Sequence, residues 1–432
     1  MLVSSLSVQD PHPGATDLLT GPRVMGLADH FAVLTDPRDQ RWVTHPLAVV
    51  LTLCACAVVA GMKSFTAIVG WVADTPLPLL HHLYDPCGKP AVAPSKTTIW
   101  QVLTNADATT VDAAVGAWLA TQAGIDITVE AGQGPGPQPG TTHPAHCQRH
   151  PTDHHQQEQE QEQEEAAERD PPRGILAVDG KRVRGAVDAD GNAPHLLAAA
   201  THQQGLVLAQ IDVHHKTNEI PMFAPLLDTM NIAGMLITAD CLHTQRKHAC
   251  YLNSRGADFV FCVKDNQPKL FDALDALAWP TIAISHATTS RGHGRVETRT
   301  LQVIPAPPGL PFPHVNQVFL IERTVTDLHG TPLSNVAILG VTSLNAARGT
   351  PELIAEAVRG QWKIEALHWI RDAIYREDDS KAHTRSGPRI MAALRNLAIG
   401  ALRLHGRNDI AEATRWAARN MERPFTILGL IP

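Results

Sequence analysis

The chain has 432 residues, enough for two or three folded domains with a buried core. Hydrophobic residues make up 44% of it, which excludes a chain that is disordered throughout. The net charge is −7, but eight acids against one base between residues 151 and 170 account for that excess, and the stretch from Lys381 to the end is basic. An acidic total therefore does not exclude a DNA-binding surface.

The seven cysteines are scattered and form no Cys-x-x-Cys pair, a pattern typical of a reducing cytoplasm rather than of a disulfide framework. The N-terminus lacks the basic start and the long apolar run of a signal peptide. The most apolar segment, LAVVLTLCACAVVAG at 47–61, is shorter than the roughly 20 residues that span a bilayer. We therefore expect a buried helix there, and a cytoplasmic protein without a membrane segment.

Residues 24–127 are predicted to form a small helical domain. Ser64, Ser95, and either Asp107 or Thr109 precede helical patterns as N-cap residues. Short helices joined by short turns fit a DNA-binding accessory domain, and they equally fit an ordinary helical bundle. Both interpretations stay open at this point.

Residues 128–173 are of low complexity, with a Pro/Gly tract, a His-rich tract and a Gln/Glu tract in succession. Such a composition cannot build a core, so we expect a disordered linker or a surface excursion. The histidines between His143 and His155 do not follow the spacing of a structural zinc site, and we expect adventitious metal binding there or none.

Residues 174–425 are predicted to form an α/β domain with a mixed five-stranded sheet and flanking helices. The strand candidates are ILAVDG, HLLAAAT, GLVLAQIDV, GMLITAD and DFVFCVK. A β-rich insertion is expected at about 280–345. The stretch PELIAEAVRGQWKIEALHWIRDAIYRED that follows is predicted to be one long helix, and MAALRNLAIGALRLHG another.

Two acids end apolar strands, Asp179 after ILAV and Asp240 after GMLITA. A charge delivered by an apolar strand is costly unless it is paired or binds a metal, and open α/β sheets place their sites at such strand ends. A third carboxylate is needed to hold two cations, and Glu365 in WKIEALHWIRD is the best candidate. Carboxylate oxygens suit Mg²⁺ or Mn²⁺.

Taken singly, each of these acids has another interpretation. Either aspartate can cap a turn after its strand, and Glu365 can be a solvated helix charge. On a helix, Glu365, His368, Trp369 and Asp372 share one face, while Trp362 and Ile364 are expected to anchor the helix beneath. His243 either touches a phosphate or caps a helix. Only the set of three acids favours a metal site.

Several motifs in order resemble one family: ILAVDGKRVRGA, KTNEIP, ITADCLHTQ, GADFVFCVKDNQP, GHGRVETR, WKIEALHWIRDAIYRED and MAALRNLAIGALR. Together they are similar to insertion-sequence transposases of the ISAs type, relatives of the H-repeat-associated proteins. The resemblance covers about 30–125 and 174–425. It implies an RNase H-like core with an Asp-Asp-Glu triad formed by Asp179, Asp240 and Glu365, with Asp372 as a rival or helper of the third acid.

The resemblance further implies a bacterial DNA transposase that cuts element ends by metal-assisted hydrolysis, with two Mg²⁺ or Mn²⁺ ions, and joins the freed 3′-hydroxyl to target DNA. It implies terminal inverted repeats and target DNA as partners, a homo-oligomer on DNA and a place in the bacterial nucleoid. Two alternatives remain open: a nuclease of the same fold without strand transfer, and an inactive DNA-binding relic.

Basic residues near the acids and in the insertion are expected to contact DNA phosphates, which supply affinity and make it salt-dependent. For any one of them, a solvated surface charge is the alternative. The candidates are Lys181, Arg182, Arg184, Lys264, Arg295 and Arg389.

Overall fold

The computed structural model describes residues 26–39, 41, 43–128, 170–188, 190–213 and 218–431. Its N-terminal part is helical, as predicted. Ser64 and Asp107 accept backbone N–H hydrogen bonds at two helix starts, and Ser95 caps a third, so these three cap predictions are confirmed. The helices are α1 Leu27–Ala32, α2 Leu47–Val59, α3 Phe65–Ala73, α4 Leu77–Tyr84, α5 Lys96–Asn105 and α6 Ala108–Ala123.

Helix α2 is the apolar segment that the sequence singled out. Of its thirteen residues all but Ala48 are buried, which confirms the prediction of a core helix. No helix in the described part of the chain is both long and apolar enough to cross a membrane.

The strands of the described residues form one mixed sheet. Its order is β3-β2-β1-β4-β5-β9-β8-β7-β6. β1 pairs parallel with β4 and β4 parallel with β5, whereas β1–β2 and β2–β3 are antiparallel. The strands are β1 Gly174–Arg182, β2 His195–Thr201, β3 Val207–Val213, β4 Met235–Ala239, β5 Asp258–Val263, β6 His286–Gly292, β7 Arg295–Pro305, β8 Gln317–Asp327 and β9 Pro332–Thr342.

The sheet has nine strands, so the prediction of five is wrong. The β-rich insertion does form, but it extends the same sheet, because β9 pairs antiparallel with β5 from Val260↔Thr342 to Val263↔Leu339. The sequence patterns of both segments were recognisable, but which edges pair depends on contacts between residues about eighty positions apart. β6 and the first half of β9 are largely exposed, so the insertion projects beyond the core.

The stretch predicted as one long helix before the C-terminus is two helices that meet at Gln361. The segment after Asp240 begins with a short 3-10 turn, Cys241–His243, before its helix starts. The remaining helices are α7 Phe223–Leu227, α8 Arg246–Ser254, α9 Pro268–Asp275, α10 Pro351–Gly360, α11 Trp362–Ala373, α12 Gly387–Leu404, α13 Ile410–Ala418 and α14 Glu422–Ile427.

The N-terminal helices and the sheet share one hydrophobic core. Helix α6 lies so close to β3 that a methyl group on Gly116 would lie 1.9 Å from the Leu208 carbonyl oxygen. Helix α12 is buried almost throughout and packs on both α6 and α2. The boundaries 24–127 and 174–425 stay predictions, and nearly all of the low-complexity stretch lies outside the described residues.

Candidate active site

Asp179 and Asp240 stand at the same level of two neighbouring parallel strands. The β1–β4 pairing ends with Val178 opposite Ala239, and each acid follows directly. β1 itself continues to Arg182 through its pairing with β2, so Asp179 lies within the strand and does not end it. Asp240 is exposed and its Oδ1 accepts the Leu242 N–H at 3.0 Å, which is the turn-capping role left open above. Its second carboxylate oxygen remains available.

Gln361 attaches the Glu365 helix to these strand ends. Its Nε2 donates to the Val178 carbonyl oxygen at 3.1 Å, and its Oε1 accepts from Thr238 Oγ1 at 2.5 Å. Val178 directly precedes Asp179, and Thr238 lies two positions before Asp240. The junction of α10 and α11 is therefore fixed to the same sheet edge that carries both aspartates.

Helix α11 turns its acidic face towards Asp179. The Nδ1 atom of His368 lies 3.5 Å from Asp179 Oδ2. Burial lowers the pKa of His368 to about 3, with the charges of Arg371 and Lys181 adding to the shift, so the imidazole is neutral at pH 7. Glu365, one turn earlier on the helix, is exposed.

Carboxylates crowd around Asp179. Burial is the largest cause that raises its pKa, to about 7. The negative charges of Glu219, Asp240 and Glu365 raise it further, against the lowering effect of the Gly180 N–H. These charges act on Asp179 because the four carboxyl groups belong to one region of the molecule. A buried carboxyl group whose pKa is raised by burial and by neighbouring negative charges is typical of a functional site.

Glu219 is a member of this region that sequence reasoning missed. Its Oε1 lies 2.8 Å from His195 Nε2 and its Oε2 lies 3.2 Å from His243 Nε2. Burial raises the pKa of Glu219, but the hydrogen bonds to the two histidines outweigh it and lower the pKa to about 2. The carboxylate lies directly over Gly180, where a Cβ atom would be 2.0 Å from Oε1. The KTNEIP motif contains Glu219, but nothing in it indicated these partners.

His243 is fully buried and bonds to Glu219, so neither a phosphate contact nor a helix cap describes it. Its ring lies against Phe223 and His248, with ring centroids 5.2 and 5.5 Å away. His243 therefore helps to fix the Glu219 carboxylate from the interior of the protein.

A second ionic cluster fixes α11 and α12 against β1. Glu377 is fully buried and lies 2.8 Å from Arg371 and 2.9 Å from Arg395. Lys181 Nζ lies 2.7 Å from Asp372 Oδ2 and 3.9 Å from Glu377. Asp372, the alternative third acid, is thus engaged by a lysine in this structure, whereas Glu365 is not.

Two of the predicted DNA-contacting residues are held by carboxylates of the protein itself. Lys181 is buried in the cluster just described. Arg389 is paired with Asp112 at 2.7 Å and with Asp212 at 2.9 Å. Neither side chain is free to contact DNA, because each neutralises buried or half-buried carboxylates. The other four candidates, Arg182, Arg184, Lys264 and Arg295, are exposed.

The acids fit divalent cations by chemistry, since Asp179, Asp240 and Glu365 offer only carboxylate oxygens. In the described part of the chain, however, no three His, Cys, Asp or Glu side chains already stand where they would hold one ion together. Glu365 is exposed and bonds to none of the described residues, so a rotamer change can bring it closer to Asp179. Convergence of the three acids requires such a movement.

Comparison with known proteins decides the family. A family model described as "Transposase DDE domain" matches residues 170–400, more than half of the chain. The chain belongs to the DDE transposase family. A second model, described as "DDE_Tnp_1-associated", matches residues 28–119 of this transposase, within the helical N-terminal region. The expected membership among insertion-sequence transposases is confirmed.

Three relatives from Escherichia coli are similar to this transposase. "Putative transposase YncI" of strain O157:H7 is 25% identical over 88% of both chains. "H repeat-associated putative transposase YhhI" of strain K12 is 27% identical, and "Putative protein YbfL" of the same strain is 28% identical. Each of these two alignments covers 53% of this chain and 64% of the relative, so the match spans less than two thirds of YhhI and of YbfL.

Among solved structures, a piggyBac transposase synaptic complex with hairpin DNA aligns with 94% of this chain and 77% of its own. The TM-score is 0.38 and the sequence identity 9%. We draw no conclusion from a similarity at that level.

Proposed function

We propose that this transposase cuts DNA at the ends of its own element and joins the freed 3′-hydroxyl to target DNA, with Asp179, Asp240 and Glu365 as the catalytic acids. The observation that carries the proposal is the alignment of Asp179 and Asp240 on adjacent parallel strands, directly after the last β1–β4 pair, with the charge of Glu365 acting on Asp179. The strand order β3-β2-β1-β4-β5 supports the RNase H-like core that this triad needs.

The protein's own residues orient the acids. Gln361 fixes the start of α11, the helix that carries Glu365, to β1 and β4. His368 is neutral and adds no positive charge beside Asp179 to compete with a cation. Lys181 neutralises Asp372, which leaves Glu365 as the free acid of that helix face.

The three carboxylates would hold two Mg²⁺ or Mn²⁺ ions. When bound, such ions supply activation of the attacking oxygen and stabilisation of the leaving oxygen in phosphodiester chemistry. Hydrolysis and strand transfer need only one site, since both are in-line displacements at phosphorus with different nucleophiles. Terminal repeats and target DNA are the proposed substrates, and a homo-oligomer on DNA in the bacterial nucleoid is the proposed working form.

The test uses a plasmid that carries the gene with its flanking DNA. With Mg²⁺, we expect nicking at the element ends, and Asp179→Asn, Asp240→Asn and Glu365→Gln should each slow it at least about a hundredfold, as expected when transition-state charge loses its stabilisation. Glu356→Gln, an exposed acid on α10, is the matched control and should nick normally.

Other outcomes reject defined parts of the proposal. Normal nicking by Glu365→Gln together with loss in Asp372→Asn would transfer the third role to Asp372. Nicking without joining of a labelled 3′-hydroxyl end to a second plasmid would indicate a nuclease. Binding of the flanking DNA with no cleavage by the unmodified protein would indicate a DNA-binding relic.

A further inference from the structure

Two cysteines lie beside Asp240. Cys241 follows it directly in the chain, and Cys262 belongs to the neighbouring strand β5. The parallel pairing of β4 and β5 ends with Ala239 opposite Phe261, and the Asp240 backbone is still extended, with φ −65° and ψ 169°. Asp240 and Cys262 are therefore at the same level of adjacent strands, and Cys241 is one residue further along.

The side chain of Cys262 is on the face of the sheet that carries α10 and α11. Side chains alternate between the two faces of a strand. Val260, two residues before Cys262, packs in one cluster with residues of α10. Thr238, two residues before Asp240, bonds to Gln361 at the junction of α10 and α11. Cys262 is therefore next to Asp240 on the face of the candidate active site.

The two thiols are close enough to be joined. Adjacent strands lie about 4.8 Å apart and one residue advances the chain by about 3.3 Å, so the Cα atoms of Cys241 and Cys262 are about 5.8 Å apart. A disulfide joins residues whose Cα atoms are about 4.4–6.8 Å apart. The hydrogen bond to the Cys262 side chain is also the largest cause that lowers the pKa of Cys241. Both cysteines are free and half-buried, so a small oxidant can reach them.

The turn that begins at Asp240 is bonded to the end of β5. The Nδ2 atom of Asn266 donates to the Cys241 carbonyl oxygen at 2.6 Å, and Thr244 Oγ1 donates to the Cys262 carbonyl oxygen at 2.6 Å. A disulfide would draw the two sulfur atoms from a non-bonded separation of at least about 3.5 Å to about 2.05 Å. The turn, and Asp240 with it, would therefore shift by about 1 Å.

We propose that Cys241 and Cys262 are a site of reversible oxidation, at which a peroxide joins the two thiols and displaces Asp240. The peroxide oxidises one thiol to a sulfenic acid and is itself reduced to water. The second thiol then attacks that sulfur, and its proton leaves with the hydroxyl group as water. In sum, two thiols and one hydrogen peroxide give one disulfide and two water molecules, and a dithiol reductant reverses the change. The effect on activity rests on the proposed DNA cleavage, whereas formation of the disulfide does not.

The first measurement is mass spectrometry of the full chain after treatment with hydrogen peroxide, blocking of the remaining thiols and digestion without reductant. Trypsin cuts after Arg246, Arg255 and Lys264, and so places the two cysteines in separate peptides. We expect these peptides linked, with a mass lower by two hydrogen atoms than their sum. Oxidised protein without this linked pair would overturn the proposal.

The second measurement follows Asp240. After removal of the peroxide, nicking with Mg²⁺ should be slower by about a hundredfold, because a displacement of about 1 Å has that effect on catalysis. Binding of Mn²⁺ without DNA, read by electron paramagnetic resonance, should weaken about 10- to 100-fold, as when a metal ligand loses its support. Dithiothreitol should restore both. A linked pair with unchanged nicking and unchanged Mn²⁺ binding would show that Asp240 is not displaced.

Serine variants separate this pair from the other thiols. Reduced Cys241→Ser and Cys262→Ser should nick normally, and neither should show a loss that dithiothreitol reverses after peroxide treatment. Cys87→Ser is the matched control, since Cys87 is an exposed cysteine of the N-terminal helical region, and it should respond to peroxide as the wild type does. A reversible loss in Cys262→Ser equal to that of the wild type would overturn the proposal.

Failure of this proposal is distinguishable from failure of the proposed function. Mass spectrometry and Mn²⁺ binding need no DNA, so they decide on the disulfide even if the protein does not nick. Nicking by the reduced protein without a linked pair after oxidation would reject the disulfide alone.

Discussion

Replacing Gly180 with alanine tests the arrangement around Asp179. The new methyl group would lie 2.0 Å from Glu219 Oε1 and 2.4 Å from its Cδ, whereas non-bonded carbon atoms separate by about 3.5 Å. Glu219 must move by about 1.5 Å, which breaks at least one of its bonds to His195 and His243. A charge-assisted hydrogen bond contributes about 1.5–3 kcal/mol, so the free energy of unfolding should fall by about that amount.

The partner variant makes this prediction specific. In Glu219→Ala the obstructing carboxylate is gone, so Gly180→Ala should then cost almost nothing further, and the two substitutions should be strongly non-additive. Urea unfolding of the four proteins measures this coupling. Nicking by Gly180→Ala should also slow about a hundredfold if Asp179 shifts by about 1 Å. Gly292→Ala, which meets no atom within 4 Å, is the control. An equal cost of Gly180→Ala in both backgrounds would refute the reasoning.

Two further predictions concern charge. Glu377→Gln leaves Arg371 and Arg395 buried without their counter-charge, so the free energy of unfolding at pH 7 should fall by about 3–5 kcal/mol in urea titrations. Burial raises the pKa of Glu377, but the charges of the two arginines outweigh it and lower the pKa to about 2. The wild type should therefore be more stable than Glu377→Gln by the full amount above pH 4.5, the ordinary pKa of the group, and this difference should disappear towards pH 2. A stability difference that persists at pH 2 would contradict the prediction. Arg182→Ala should weaken DNA binding and lower the number of counterions released on binding by about one, which is measured as the slope of log affinity against log salt. Arg389→Ala should change stability alone. Equal salt slopes for the two variants would show that Arg182 is not a DNA contact.

Local features of this fold could be predicted because their causes lie within a few residues. Ser64, Ser95 and Asp107 cap helices through N–H groups two or three positions away. The apolar runs before Asp179 and Asp240 indicated strands, and the pairing of Val178 with Ala239 brings both acids to one edge. The family motifs also indicated Glu365 as the third acid, which stays a prediction until it is tested.

What could not be predicted depends on partners far away in the chain. Glu219 meets His195 and His243 only after β2, the β3–α7 connection and the turn after β4 come together. Lys181 looked like a DNA contact because its partner Asp372 lies 191 residues away. The nine-stranded sheet escaped prediction for the same reason, since strand patterns do not say which edges pair. Trp362 was expected to anchor α11, but 63% of its surface is exposed, and the buried residues of this helix include Ile364 and Leu367 instead. Which face of a helix is buried depends on the elements that pack against it.

The most direct test of the central claim is a crystal structure of the transposase with Mn²⁺ and its flanking DNA, read by anomalous scattering. We expect two manganese peaks, with carboxylate oxygens of Asp179, Asp240 and Glu365 about 2.0–2.2 Å from the ions. Peaks bound by Asp372 in place of Glu365, or well-ordered DNA with no ion at Asp179 and Asp240, would contradict it.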